Sequence, residues 1–230
     1  MTPLVLLPGM MCDARLFAPQ FATFSAQRAV HVAPLTADSI AACAAHILQA
    51  APQKFALAGL SMGGIVAMEI LRLAPSRVDR IALLDTNPLA EADAIRARRT
   101  RQIEKVQDGH LLDVIRDEMK PHYLANGPHR AKILDLCMDM AASLGPATFI
   151  NQSKALASRP DQTETLRSAS IPALVLCGRE DALCPVHRHE LMHDLLSSSV
   201  LQVIENAGHL PTLEQPQETT AALSRWLEDT

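Results

Sequence analysis

The chain has 230 residues, 48% of them hydrophobic and 20% charged, enough apolar material for one α/β domain with room for an inserted subdomain. A net charge of −4 leaves no basic excess for a phosphate backbone, and aromatics at 3% give few stacking platforms, so nucleic acid is excluded as a partner. No apolar run reaches the roughly 18 residues of a membrane helix, and the N-terminal run lacks a basic leader and is broken at Pro8-Gly9, so neither a membrane partner nor a signal peptide is expected.

In chain order, Leu4–Leu7 reads as a buried strand ended by Pro8-Gly9, and a helix fits 14–25. A second strand at 30–33 is followed by a helix over 39–51. A third strand at 55–59 leads into a helix over Met62–Leu73, and Val78–Leu84 is a fourth strand. Strands at 173–177 and 200–204 are followed by helices at 185–196 and 214–227. Nearly continuous apolar strands alternating with helices indicate a parallel sheet covered on both faces.

The stretch 88–165 breaks this rhythm. It has no strand pattern, a charge cluster from Arg96 to Arg101, and breakers at Gly109, Pro121, Gly127, Pro128, Gly145 and Pro160. It reads as a helical cap inserted between core segments 1–87 and 166–230, over the C-terminal edge of the sheet where open α/β sheets bind ligands. The alternative is a separate helical domain with no part in the site. The five cysteines, Cys12, Cys43, Cys137, Cys177 and Cys184, are odd in number and lack zinc-knuckle spacing. They read as reduced thiols, which points to the cytoplasm.

The strongest motif is Gly59-Leu60-Ser61-Met62-Gly63-Gly64, a G-x-S-x-G between an expected strand and an expected helix. A serine on so sharp a turn leaves no room for bulk two residues to either side, which glycine relieves. A serine hydroxyl needs a base. His209, in Glu205-Asn206-Ala207-Gly208-His209-Leu210 just past the last strand, is placed to be that base. Asp181, after the fifth strand, is favoured as the acid that orients it, with Asp85 at the end of the fourth strand as competitor and otherwise a loop or helix-capping residue. Backbone N–H groups of Met62 and of Met10, in the turn after the first strand, are the expected oxyanion donors.

Taken together, LLPGM, GLSMGG, ALVLCGREDALCP and ENAGHLPTLEQP resemble the α/β-hydrolase superfamily, most of all its small bacterial esterases and lactonases with a helical cap. The resemblance covers nearly the whole chain. It implies the α/β-hydrolase fold in a minimal form, about six parallel strands flanked by helices, without the leading antiparallel hairpin of larger members. It also implies a covalent acyl-enzyme formed from a small ester, lactone or thioester substrate, with no metal or organic cofactor. Many relatives have His-Gly before the oxyanion donor where this chain has Pro8-Gly9. Met10, Met11 and Met62 are expected to form an apolar floor for short or medium acyl groups. Met119, His122, Tyr123, Met138 and Met140 are candidates to cover it, or else helix-core residues; Met11, Met119 and Tyr123 are the substrate-binding candidates. Oligomeric state is not readable.

Two other readings stand beside this one. His189-Glu190-Leu191-Met192-His193 is H-E-x-x-H on an expected helix, the spacing of a zinc hydrolase. The extended motif fails at Leu196 and Ser199, Glu214 is explained by the helix start before Pro216, and the histidine face is expected to be partly exposed. The third reading is a non-catalytic small-molecule receptor on the same fold.

Overall fold

The computed structural model describes residues 1–228. Six parallel strands, β1 (Leu4–Leu7), β2 (Val30–Val32), β3 (Phe55–Leu60), β4 (Val78–Leu84), β5 (Ala173–Gly178) and β6 (Ser199–Ile204), form one sheet in the order β2-β1-β3-β4-β5-β6. Strand bounds differ from the sequence expectation by one residue at most. The chain reverses direction across the sheet between β1 and β3, where their C-terminal ends open a crevice, as the topology of open α/β sheets requires.

Alternate residues of each strand feed two cores. Val5, Leu7, Leu57, Ile81, Leu83 and Val175 face one side, and Leu4, Leu6, Ala58, Leu60, Ala82, Leu84 and Leu176 face the other. Every residue of β1, β3 and β5 is buried, so these strands read as unbroken apolar runs rather than as alternating ones. The helix Ile40–Ala50 begins where the Ser39 side chain accepts the Ala42 N–H at 3.2 Å. The expected helix at 14–25 is a 3-10 turn, Ala14–Phe17, running into an α-helix, Ala18–Phe24, with Pro19 in its first turn. The last expected helix is two, Pro211–Glu214 and Pro216–Glu228, because Pro216 cannot continue the first and starts the second.

Residues 88–165 contribute only helices among the described residues, chiefly Asp93–Gln107 and Arg130–Ala157, with a π-helical turn at Val114–Met119 between them. Arg130–Ala157 is broken at Gly145, whose φ of 76° no helix contains, and Pro146 restarts it. Its length and composition would suit a membrane span, but its apolar residues are used inside, Met140 in one core and Phe149 in the other. The insertion has no separate interior: Val106, Val114 and Ile115 join the first core, and Tyr123, Ile133 and Leu134 the second. It is therefore packed as part of the same body, not as a detached domain.

A very close backbone contact lies under the turn after β3. A Cβ on Gly63 would stand 2.0 Å from the Leu7 carbonyl oxygen, and one on Gly59 would stand 2.2 Å from that of Gly63. The helix Met62–Leu73 thus rests directly on the backbones of β1 and β3. Gly63→Ala should destabilise the protein by about 3 kcal/mol, the upper range for overpacking, since backbone rather than a flexible side chain must give way. Denaturant melting checks this; a loss below about 1 kcal/mol would contradict so close an approach.

Candidate active site

Ser61 occupies the turn between β3 and the helix Met62–Leu73 with φ 55° and ψ −115°, a conformation that non-glycine residues rarely adopt. Several hydrogen bonds hold it there. Its N–H donates to the Leu84 carbonyl at 2.9 Å, and its own carbonyl accepts the Gly64 N–H at 2.9 Å and the Thr86 hydroxyl at 2.8 Å. Met62 is the first residue of its helix, so its N–H has no intrahelical acceptor, and the positive end of the helix dipole points at the serine. The turn after β1 lies alongside, since a Cβ on Gly9 would touch the Ser61 Cβ at 3.4 Å. Met10 follows it and lines the cavity above Ser61.

His209 projects from the loop after β6 and is 5% exposed. Its Nε2 lies 2.9 Å from the Ser61 Oγ and its Nδ1 lies 2.8 Å from the Asp181 Oδ2. With the proton on Nδ1 donated to Asp181, Nε2 is an acceptor for the serine hydroxyl. The other Asp181 oxygen, Oδ1, accepts the Leu183 N–H at 2.8 Å and the Cys184 N–H at 3.0 Å. Burial alone would raise the Asp181 carboxyl, but His209 beside it and these two N–H groups hold it below the ordinary 3.8. The loop is tied from both sides. The His209 N–H donates to the Tyr123 carbonyl at 2.7 Å. The Glu214 carboxylate accepts from the N–H groups of Gly208 at 2.9 Å, Leu210 at 3.1 Å and Ala125 at 2.8 Å. Glu214 is thus more than helix-start chemistry: it clasps the histidine loop to the insertion.

Asp85, the competitor for the acid, is fully buried and sits at φ 45° after β4. It makes no hydrogen bond to His209. Its Oδ1 accepts the Gly178 N–H at 2.9 Å, while its Oδ2 is buried without a hydrogen-bond partner. Burial first, and the Asp181 carboxylate second, push its pKa well up.

The two H-E-x-x-H histidines differ in setting. His189 is fully buried, and its Nε2 accepts the Thr86 N–H at 3.1 Å. Burial drives its pKa down to about 4, so it is neutral. It props Thr86, which in turn braces Ser61. His193 turns instead to the Ser199 hydroxyl, 2.7 Å away. The expectation of an exposed histidine face is corrected for His189: the helix Val186–Leu195 packs it inward against the loop after β4, which its sequence, with an exposed Glu190 beside it, does not reveal. Among the described residues, a different trio, Asp181, Cys184 and His209, brings ligand-type atoms within 4.8 Å of one another. It fits a metal poorly, because Asp181 and His209 are already committed to each other and burial keeps the Cys184 thiol protonated.

A cavity of about 290 Å³ opens over Ser61 and His209, lined by both core and insertion. Met10, Met119, His122 and Tyr123 line it. Met11 does not: at φ 55° its side chain turns into the core, and its N–H donates to Gln152 at 2.8 Å. Met62 and Met140 are likewise fully buried in the cores, and Met138 packs against the first. The wall is not apolar throughout, since Arg98, Arg99, Arg159 and Arg188 line it together with Glu91 and Glu118. The expected apolar floor is corrected accordingly.

A parallel sheet with a strained serine turn after β3, a histidine loop after β6 and an acid after β5 is the arrangement of an α/β hydrolase. The profile of the Alpha/beta hydrolase family matches residues 4–223, and the chain belongs to that family. It is similar to the Biotin biosynthesis bifunctional protein BioHC of Teredinibacter turnerae, 24% identical over 76% of this chain, but it spans only 33% of that protein's length. It is also similar to the Pimeloyl-[acyl-carrier protein] methyl ester esterase of Aliivibrio salmonicida, 25% identical over 98% of this chain and 92% of that one. Among solved structures, a thermophilic esterase from Thermogutta terrifontis superposes with a TM-score of 0.88 at 28% identity, covering 99% of this chain and 89% of that one.

The raised Asp85 pKa has a measurable consequence. In the native state this carboxyl holds its proton to higher pH than in the unfolded chain, where it has the ordinary 3.8. Stability from this group is therefore full below about pH 4 and declines as pH rises toward the native pKa. Asp85→Asn is neutral at every pH, so its Tm relative to wild type should climb by several degrees between about pH 4 and pH 8. A difference that stays flat or falls with pH would mean that Asp85 is ionised.

Proposed function

We propose that the protein is a serine esterase that hydrolyses a small carboxylic ester through an acyl-enzyme, with Ser61 as nucleophile, His209 as base and Asp181 as the orienting acid. The observation that carries this reading is the unbroken row Ser61 Oγ, His209 Nε2, His209 Nδ1, Asp181 Oδ2, with contacts of 2.9 and 2.8 Å, at the base of a cavity. Carboxylic ester hydrolysis is also the reaction that the Aliivibrio and Thermogutta relatives are named for. Five buried, unpaired thiols support a cytoplasmic setting.

The steps follow from the geometry. Ser61 Oγ attacks the ester carbonyl while its proton passes to His209 Nε2. Asp181, held below its ordinary pKa, stays charged and stabilises the imidazolium. The N–H of Met62 and that of Met10 across the crevice donate to the developing oxyanion; Met62 adds the field of its helix terminus. His209 then gives its proton to the leaving alcohol. In the second half it takes a proton from water, whose oxygen attacks the acyl carbonyl, and it returns that proton to Ser61 Oγ as the C–O bond to the serine breaks and the acid leaves. A lactone would follow the same path with its alcohol still tethered.

Ser61→Ala should lower kcat/KM on methyl or p-nitrophenyl esters by about 10⁴-fold or more. Asp181→Asn should cost three to four orders of magnitude, through the wrong histidine tautomer. Asp85→Asn should cost far less, since Asp85 does not reach His209. If Ser61→Ala keeps a tenth of the wild-type activity, or Asp85→Asn loses as much as Asp181→Asn, the assignment is wrong.

A further inference from the structure

The cavity above Ser61 carries more positive charge on its wall than the acids there neutralise. Glu91 is 3% exposed and stands between two arginines: Arg99 Nε at 2.5 Å from its Oε2, and Arg159 Nη2 at 3.1 Å from its Oε1. Those arginines are 15% and 10% exposed. One carboxylate thus serves two largely desolvated guanidinium groups. Arg188, half-buried on the helix Val186–Leu195, lines the same cavity and adds a further cation, and the exposed Arg98 another. The other lining acid, Glu118, is taken by Lys105 at 2.6 Å and Gln102 at 3.1 Å and offers no relief.

The cluster is fixed in place. Arg159 Nε donates to the Leu89 carbonyl at 3.0 Å, and Arg99 Nη1 lies 3.6 Å from the Met10 sulfur. The latter contact sets the cations beside the turn that flanks Ser61. Burial pulls the Arg159 guanidinium below its ordinary pKa, and Arg99 and Arg188 push the same way, against Glu91. Positive charge that is buried in excess of its partners is unfavourable unless an anion completes the set. The planar guanidinium fork suits a carboxylate, which it can hold through two parallel hydrogen bonds.

We propose that the cavity selects esters bearing a second group that is an anionic carboxylate, held by Arg159 and Arg188 beside the Arg99–Glu91 pair while Ser61 attacks the ester. A cavity of about 290 Å³ admits a small molecule of this kind, such as a half-ester of a short dicarboxylic acid. The substrate class rests on the esterase reading, but the anion site itself does not.

The test pairs charged and neutral esters of matched length: monomethyl adipate against methyl hexanoate, and 4-acetoxybutanoate against butyl acetate. At low salt, at least one charged ester should exceed its neutral counterpart in kcat/KM by about tenfold or more, in line with one charge-assisted pair. That ratio should fall toward one in Arg188→Gln and in Arg159→Gln, and with added salt. Arg188 lies outside the Glu91 ion pairs, so its variant keeps the test open if Arg159→Gln does not fold. Ratios of one or below for both pairs, or ratios unchanged in both variants, overturn the proposal. Calorimetric titration of wild type with adipate, against 1,6-hexanediol, reads the anion site without turnover. Adipate binding with no ester hydrolysis would sink the esterase reading alone, whereas no adipate binding would sink the anion site.

Discussion

Everything at this site depends on how closely one helix approaches two strands. The helix Met62–Leu73 lies against the backbone of β1 at Gly63 and against β3 at Gly59, leaving no space for a side chain at either position. That approach forces the chain through the left-handed turn at Ser61, which costs about 1–3 kcal/mol for a non-glycine residue. The return is positional. The serine hydroxyl is lifted off the sheet edge, the helix terminus points at it, and the N–H of Met62 is left for whatever oxygen arrives.

A strained turn persists only if its surroundings over-determine it, and here they do. The Leu84 carbonyl, the Thr86 hydroxyl and the Gly64 N–H hold Ser61, and His189 holds Thr86 from behind. On the other flank Glu214 gathers three backbone N–H groups around the histidine loop, and Tyr123 supplies a fourth tie. Asp85 closes the base by linking the end of β4 to Gly178. The two aspartates divide the work by environment. Asp181 has His209 and two N–H groups to stabilise its charge, while Asp85 is buried with one N–H and a neighbouring carboxylate, so its pKa is pushed up.

The six strands were legible because a strand buried on both faces must be apolar along its length, as β1, β3 and β5 are. The serine turn was legible because its sterics dictate glycine at 59 and 63. His209 followed from its place after the last strand. Asp181 against Asp85 was harder, since both are acids just past adjacent strands. What separates them is which carboxyl reaches His209, a matter of loop path. Met11 was misplaced because a positive φ turns its side chain away from the cavity that Met10 lines. Arg99 belongs to a charge cluster that reads as a solvated helix face, and only packing of the insertion brings it against Glu91. His189, on a polar-looking helix, gives no sign of being buried. Glu214 had a faint signal, an acid five residues after the histidine, but its three N–H partners include one from the insertion, 89 residues away.

The central claim is that this packing makes Ser61 an activated nucleophile with His209 as its base. Intact-mass analysis after brief treatment with a fluorophosphonate probe tests it most directly. One adduct is expected on wild type, none on Ser61→Ala, and labelling slowed by orders of magnitude on His209→Ala, with a strong chelator making no difference. No adduct on wild type, or an adduct that survives Ser61→Ala at the same rate, would contradict the account.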